Sequence, residues 1–96
     1  MNIVFLLQAT LCLCNIASNG DECCQQLYKN NVLIGVIPIL QLADAELVHM
    51  ALCLVEMILN ACPEASFSVF LCNPHFLYVI REYILFKTRF RVKPYD

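Results

Sequence analysis

The feature that most constrains the fold of this 96-residue chain is an internal period of 42 residues. Similar residues recur at this spacing with no gap between the two copies. The pairs are Ala9 with Ala51, Leu13 with Val55, Ile16 with Ile58, Glu22 with Glu64, Tyr28 with Phe70, and Asn31 with Asn73. A period of about 40–47 residues is typical of helical repeats that stack into an α-solenoid. Each unit of such a stack buries its apolar face against its neighbours.

Helix start and stop residues occur where this period places them, and strands find little support. Asp44 is a good N-cap for an apolar helix, and Asn19-Gly20 stops the helix before Asp21. Pro63 suits the first position of a later helix, and Asn31 suits a left-handed turn. The pattern predicts helices over 3–18, 21–30, 32–42, 45–60, 63–72 and 75–87.

The third predicted helix contains a conflict. Gly35 and Pro38 both fall inside 32–42, and a proline within a helix removes a backbone hydrogen bond and kinks it. Alternatively the helix starts at Val36, which makes Pro38 a residue of its first turn. The sequence leaves both registers open.

Composition predicts one small domain that folds around an apolar core. The chain is 60% hydrophobic and 15% charged, which excludes intrinsic disorder. Its net charge of −2 gives no reason to expect a nucleic acid partner. We predict partial repeats at 1–18 and 63–87 around a central repeat at 21–60, followed by a basic tail at 88–96.

Seven cysteines are present, and the odd number argues against a closed disulfide framework. No C-x-x-C pair occurs, so the minimal spacing of a zinc knuckle or a dithiol redox site is missing. We expect most of these thiols to be buried as small hydrophobic groups. No cofactor is indicated, and nothing near His49 and Cys53 suggests an oxyanion hole, so no enzymatic activity is expected.

The segment from Met1 to Gly20 carries no charged side chain and allows three interpretations. A buried helix is the preferred one, because the 42-residue period makes this segment equivalent to the later apolar helix. A signal peptide cleaved after Ser18 would leave a small secreted, cysteine-containing peptide. A membrane anchor is the third, although the run is short of the roughly 20 apolar residues that a span needs. The basic and aromatic residues after Arg81 allow membrane association as a further alternative.

The segment Ala9–Ala17, with sequence ATLCLCNIA, resembles the third helix of an armadillo repeat, and the resemblance extends over roughly residues 6–71. It implies an all-α, armadillo-like, right-handed α-solenoid fragment of about two repeats, expected to be either a piece or a short isoform of a longer solenoid. It also implies a non-enzymatic protein-binding scaffold or adaptor, similar to the importin-alpha-like nuclear import adaptors. The expected compartment is the cytoplasm, with the nucleus or a membrane surface as alternatives. Of the positions that match the peptide-clamping residues of importin-alpha, only Asn15 keeps the family identity.

A candidate protein-binding face lies on the predicted helix 45–60. His49, Cys53, Glu56 and Asn60 follow one another at helical spacing opposite the apolar positions, and we add Asn15 from the first helix. A metal site is not expected, because three ligands on one helix cannot surround a tetrahedral ion. The partner is expected to be another protein. The isolated chain should self-associate, since its first helix is apolar on every side.

Overall fold

The computed structural model describes residues 2–66, 78, 80–82 and 85. Within these residues the backbone is mostly helical and forms no strand, which confirms the all-α prediction. The elements are α1 (Ile3–Ala17), α2 (Asp21–Lys29), α3 (Val32–Val36), a 3-10 helix (Ile37–Gln41) and α4 (Ala45–Ala61).

The two long helices, α1 and α4, begin with the same kind of cap. Asn2 Oδ1 accepts hydrogen bonds from the amides of Val4 (2.9 Å) and Phe5 (3.3 Å). Asp44 Oδ1 accepts one from the amide of Leu47 at 2.9 Å. These side chains satisfy amides that have no partner inside the first helical turn. The two capping residues are 42 positions apart, so the sequence period coincides with the start of each helix.

Two residues with positive φ form the turns between the short helices. Gly20 has φ 131° and separates α1 from α2, while Asn31 has φ 62° and separates α2 from α3. Glycine adopts such angles freely, and asparagine tolerates the left-handed region better than most residues. The predicted stop at Asn19-Gly20 and the predicted left-handed Asn31 are both confirmed.

The prediction of one continuous helix over 32–42 is wrong. The two alternatives, a helix that starts at 32 and one that starts at Val36, are each correct in part. An α-helix does begin at Val32 and includes Gly35. It then tightens into the 3-10 helix, and Pro38 lies in the first turn of that second piece. A proline there removes a hydrogen bond that the first turn does not need. The change of helix type therefore accommodates the proline without a break in the chain.

The hydrophobic core lies around α4. Its inner face is fully buried along its whole length, and α1, α2 and the 3-10 helix pack around it. The buried residues of that face are Leu47, Ala51, Leu54, Val55 and Ile58. Complete burial of a large aliphatic side chain contributes about 1.5–3 kcal/mol. Ile80, from the described part of the later chain, joins the same core.

The later predicted elements lie mostly outside the described residues. Pro63 lies in a turn rather than in a helix, and helical conformation begins at Ala65. Of the helix predicted at 75–87, residues 78, 80–82 and 85 are described, and all are helical. The rest of both predicted helices and the basic tail at 88–96 fall outside the described residues.

A search of the described helices finds none that combines the length and the apolar character needed to cross a membrane.

Candidate functional site

The predicted binding residues of α4 lie on one solvent-facing side of that helix. His49 and Asn60 are exposed, and Cys53 and Glu56 are half-buried. Their spacing places them on the side of α4 opposite its buried residues. The face predicted from the sequence therefore exists as a row along α4, which we call the α4 face (His49, Cys53, Glu56 and Asn60).

Helix α1 packs beside α4 and runs in the same direction. In the last turn of α1, Cys14 Sγ donates a hydrogen bond to the backbone oxygen of Met50 at 3.5 Å. One turn later, Ser18 Oγ lies 3.9 Å from Met57 Sδ. Because the contacts advance toward the C-terminus on both helices, α1 and α4 are parallel neighbours.

Asn15, the fifth predicted binding residue, does not join these contacts. It is exposed on α1 and lies about 100° around the helix from Cys14, the side chain that contacts α4. Cys14 and Ser18 are the α1 residues beside the α4 face, and sequence reasoning missed both. Their spacing of four residues on an otherwise apolar helix was the available signal.

A thiol cluster, formed by Cys14, His49 and Cys53, lies where α1 meets the α4 face. Cys53 Sγ lies 3.8 Å from His49 Nε2, so these side chains touch as their spacing predicted. Burial, and secondarily the charge of Cys53, raise the pKa of the Cys14 thiol. Because Cys14 Sγ contacts the backbone oxygen of Met50, and Cys53 lies three residues after Met50, the two thiols lie at the same turn of α4.

A second pair of thiols, Cys24 and Cys62, is buried near the C-terminal end of α4. Cys24 Sγ donates to the backbone oxygen of Ala17 at 3.3 Å, which ties α2 to the end of α1. Burial is the largest cause that raises the pKa of both thiols. The charges of Asp21 and Cys62 add to it for Cys24, and that of Glu64 for Cys62.

The expectation that most cysteines are buried is wrong for the described part of the chain. Six cysteines are described there, and only Cys24 and Cys62 are buried. Cys12 is exposed, while Cys14, Cys23 and Cys53 are half-buried. Residue type alone misjudged them, because exposure depends on which side of its helix a cysteine occupies; Cys12, for example, lies on a side of α1 that no other described element covers. Cys72 lies outside the described residues.

Across residues 2–66, 78, 80–82 and 85, no group of three or more His, Cys, Asp or Glu side chains is arranged to hold a metal ion. The thiol cluster contains two sulfur atoms and one imidazole ring. Its groups can exchange protons, donate hydrogen bonds and undergo thiol chemistry.

Comparison of the chain with protein-family models, with curated proteins and with solved structures finds no match in any of the three.

Proposed function

We propose that the chain is an armadillo-like helical scaffold that binds other proteins and catalyses no reaction. The observation that carries the proposal is the parallel packing of α1 against α4, two helices whose caps are 42 residues apart. In a helical hairpin, consecutive helices run antiparallel and are joined by a short loop. Parallel neighbours joined by a crossover of shorter helices are instead what stacked repeats produce.

The exposed side of α1 supports the same proposal. Three positions of α4 lie toward α1. The backbone oxygen of Met50 contacts Cys14, the sulfur of Met57 contacts Ser18, and Cys53 lies about one turn from both on the same side of the helix. A shift of 42 positions relates these three residues to Gln8, Leu11 and Asn15, and each of those is exposed on α1. The side of α1 that remains uncovered is thus equivalent to the side of α4 that another helix covers.

This uncovered side has the chemistry of a contact surface. Val4 is 66% exposed and Phe5 is 68% exposed, with Leu11 and Ile16 beside them. No charged residue occurs from Asn2 to Gly20, so no charge on this side opposes a close approach. Exposed apolar side chains on one side of a helix, here interspersed with the polar Gln8 and Asn15, are typical of interaction sites. We assign it to a further helical unit packed parallel to α1.

The α4 face supplies the polar part of the binding surface. His49 and Asn60 can donate and accept hydrogen bonds, and Glu56 offers a carboxylate that can accept them. Rigid helices hold these groups in a row, and Cys14 and Ser18 extend the row onto α1. Such a row suits an extended segment of a protein partner, because the side chains of the α4 face can make hydrogen bonds along the length of that segment.

Sedimentation velocity of the full chain under reducing conditions tests the assignment of the uncovered side. We expect the average sedimentation coefficient to rise with concentration, because the chains cover their exposed apolar surface against one another. Phe5→Glu and Leu11→Glu should each raise the concentration needed for association by about tenfold, since each places a carboxylate in the contact. Thermal unfolding should change little, because both side chains are exposed in the monomer.

Gln25→Glu is the matched control, because it adds the same charge at an exposed position of α2, away from the uncovered side of α1. It should leave association unchanged. A chain that remains monomeric at every concentration would contradict the proposal. Equal effects of the control and of the two α1 variants would show that net charge, rather than this surface, governs association.

A further inference from the structure

We propose that Cys53 and Cys14 form a reversible disulfide across the α1–α4 contact when the chain meets a low-molecular-weight disulfide, with His49 as the proton acceptor for Cys53. The thiol cluster is thereby assigned as a modification site. This inference does not depend on the proposed scaffold function, because it requires only the packing of α1 on α4.

The position of the Cys14 sulfur brings the two thiols to the same turn of α4. It lies 3.5 Å from the backbone oxygen of Met50. In an α-helix that oxygen points toward the amide four residues later, and therefore lies next to the residue three positions later. That residue is Cys53. The two thiols consequently share one small region of the interface.

The two helix backbones are close at this point. A cysteine sulfur is only two bonds from its Cα, so it reaches a backbone oxygen of the opposite helix only where the helices approach closely. A disulfide needs Cα atoms about 4.4–6.8 Å apart. Small facing side chains permit such an approach between two helices, and the buried Thr10 and Ala17 flank Cys14 on the inward side of α1.

His49 makes Cys53 the thiol that reacts first. Its Nε2 atom lies 3.8 Å from Cys53 Sγ and accepts the thiol proton when the ring carries its own proton on Nδ1. The thiolate is the nucleophile in thiol–disulfide exchange. Cys14 is the second thiol, because burial, and secondarily the charge of Cys53, raise its pKa and so make its reactive thiolate form less available.

The exchange proceeds in two balanced steps. The Cys53 thiolate attacks one sulfur of the small disulfide, a Cys53–sulfur bond forms, and the other half leaves as a thiolate that takes up a proton. The Cys14 thiol then loses its proton and attacks Cys53 Sγ. This step forms the Cys14–Cys53 bond and releases the second small thiol. Two protein thiols are oxidised, and one small disulfide is reduced to two thiols.

Access separates this pair from the two buried thiols, while Cys23, which is also half-buried, lies on α2 and not at the α1–α4 contact. Cys14 and Cys53 are half-buried, so a small disulfide reaches them, whereas Cys24 and Cys62 are 2% and 1% exposed. Cys12 is exposed, but it lies two residues from Cys14 and about 200° away around α1, so it does not face α4.

The test treats the reduced full chain with glutathione disulfide near neutral pH, quenches with acid, alkylates the remaining thiols and maps the linkage by tandem mass spectrometry. We expect a monomer two hydrogen atoms lighter, with Cys14 linked to Cys53. Cys14→Ser and Cys53→Ser should abolish this product, while Cys12→Ser and Cys23→Ser retain it. The linked chain should melt roughly 10 °C higher, because the bond closes a long loop.

The role of His49 is tested in the Cys14→Ser background, where the reaction stops at the mixed disulfide on Cys53. His49→Gln should slow formation of that mixed disulfide by about tenfold near neutral pH. Linkage of Cys24 to Cys62, or linkage only between chains, would overturn the proposal. An unchanged rate in the glutamine variant would overturn the assignment of His49.

Discussion

Helices α1 and α4 begin 42 residues apart, at equivalent positions of the sequence period, and both are largely apolar. Their surroundings differ. Helix α4 buries six residues, whereas α1 buries two, Thr10 and Ala17. Among the described elements, α4 packs against α1, α2, α3 and the 3-10 helix, whereas α1 packs against α4 and α2. The comparison shows that the packing around each helix, rather than its hydrophobicity, decides which of two similar helices forms the core.

The equivalent isoleucines of the two helices provide the sharpest test of this difference. Ile58 is completely buried in α4, whereas Ile16, its equivalent in α1, is 42% exposed. Ile58→Ala should lower the free energy of unfolding by about 2–5 kcal/mol, because it removes buried contacts and leaves a cavity. Ile16→Ala should cost less than about 1 kcal/mol. Urea denaturation of both variants gives the comparison.

The two substitutions delete the same atoms at equivalent positions, so each serves as the control for the other. Measurements belong at low protein concentration and with reduced thiols, where neither association nor a disulfide contributes. Equal losses of stability would show that α1 is as well packed as α4 and would break the comparison.

Amide hydrogen exchange should distinguish the helices without any substitution. We expect the amides in the middle of α4 to exchange only through global unfolding, because its side chains lock it to its neighbours. Those in the first two turns of α1 should exchange at least about tenfold faster through local opening. Uniform protection across both helices would contradict this expectation.

The two helix caps give a smaller, matched effect. Asp44→Ala should lower stability by about 1 kcal/mol, since it leaves the amide of Leu47 without its partner at the start of the core helix. Asn2→Ala should cost only a few tenths of a kcal/mol, because the first turn of α1 can fray without exposing the core. Thermal unfolding followed by circular dichroism checks both, and a larger loss for Asn2→Ala would reverse the assigned roles.

Alkaline pH should produce the smallest effect. Burial raises the pKa of Cys62 in the folded chain, so this thiol ionises more readily when the chain unfolds. The associated stability is fully present below about pH 8.5 and is lost as the pH rises through the folded pKa. Cys62→Ala should reduce the alkaline loss more than Cys14→Ala, because Cys62 is buried and Cys14 is half-buried. The same alkaline loss in both variants would contradict this.

The sequence predicted the elements that local chemistry determines. The caps at Asp44, the stop at Gly20 and the left-handed Asn31 depend on the properties of single residues and were located from them. The helix type around Pro38 could not be chosen, because an α-helix and a 3-10 helix both tolerate a proline in their first turn. The tertiary surroundings decide between them.

The candidate site was predicted only along one helix. Helical spacing placed His49, Cys53, Glu56 and Asn60 on a common face, and this needs no knowledge of the fold. The partner residues from α1 depend on how that helix is rotated against α4. A rotation of one residue separates Asn15, which was predicted, from Cys14, which makes the contact. The periodicity within each helix does not determine how far α1 is rotated about its own axis relative to α4.

The parallel arrangement of α1 and α4 has a consequence for assembly. Two helices related by displacement offer different sides to each other, unlike the two halves of a symmetric dimer, whose contact surfaces are identical. If further units pack as the proposed scaffold requires, the contact is head-to-tail, and every added unit exposes a fresh surface equivalent to the one it covers. Under that proposal, a terminal unit with a polar outer surface ends the series.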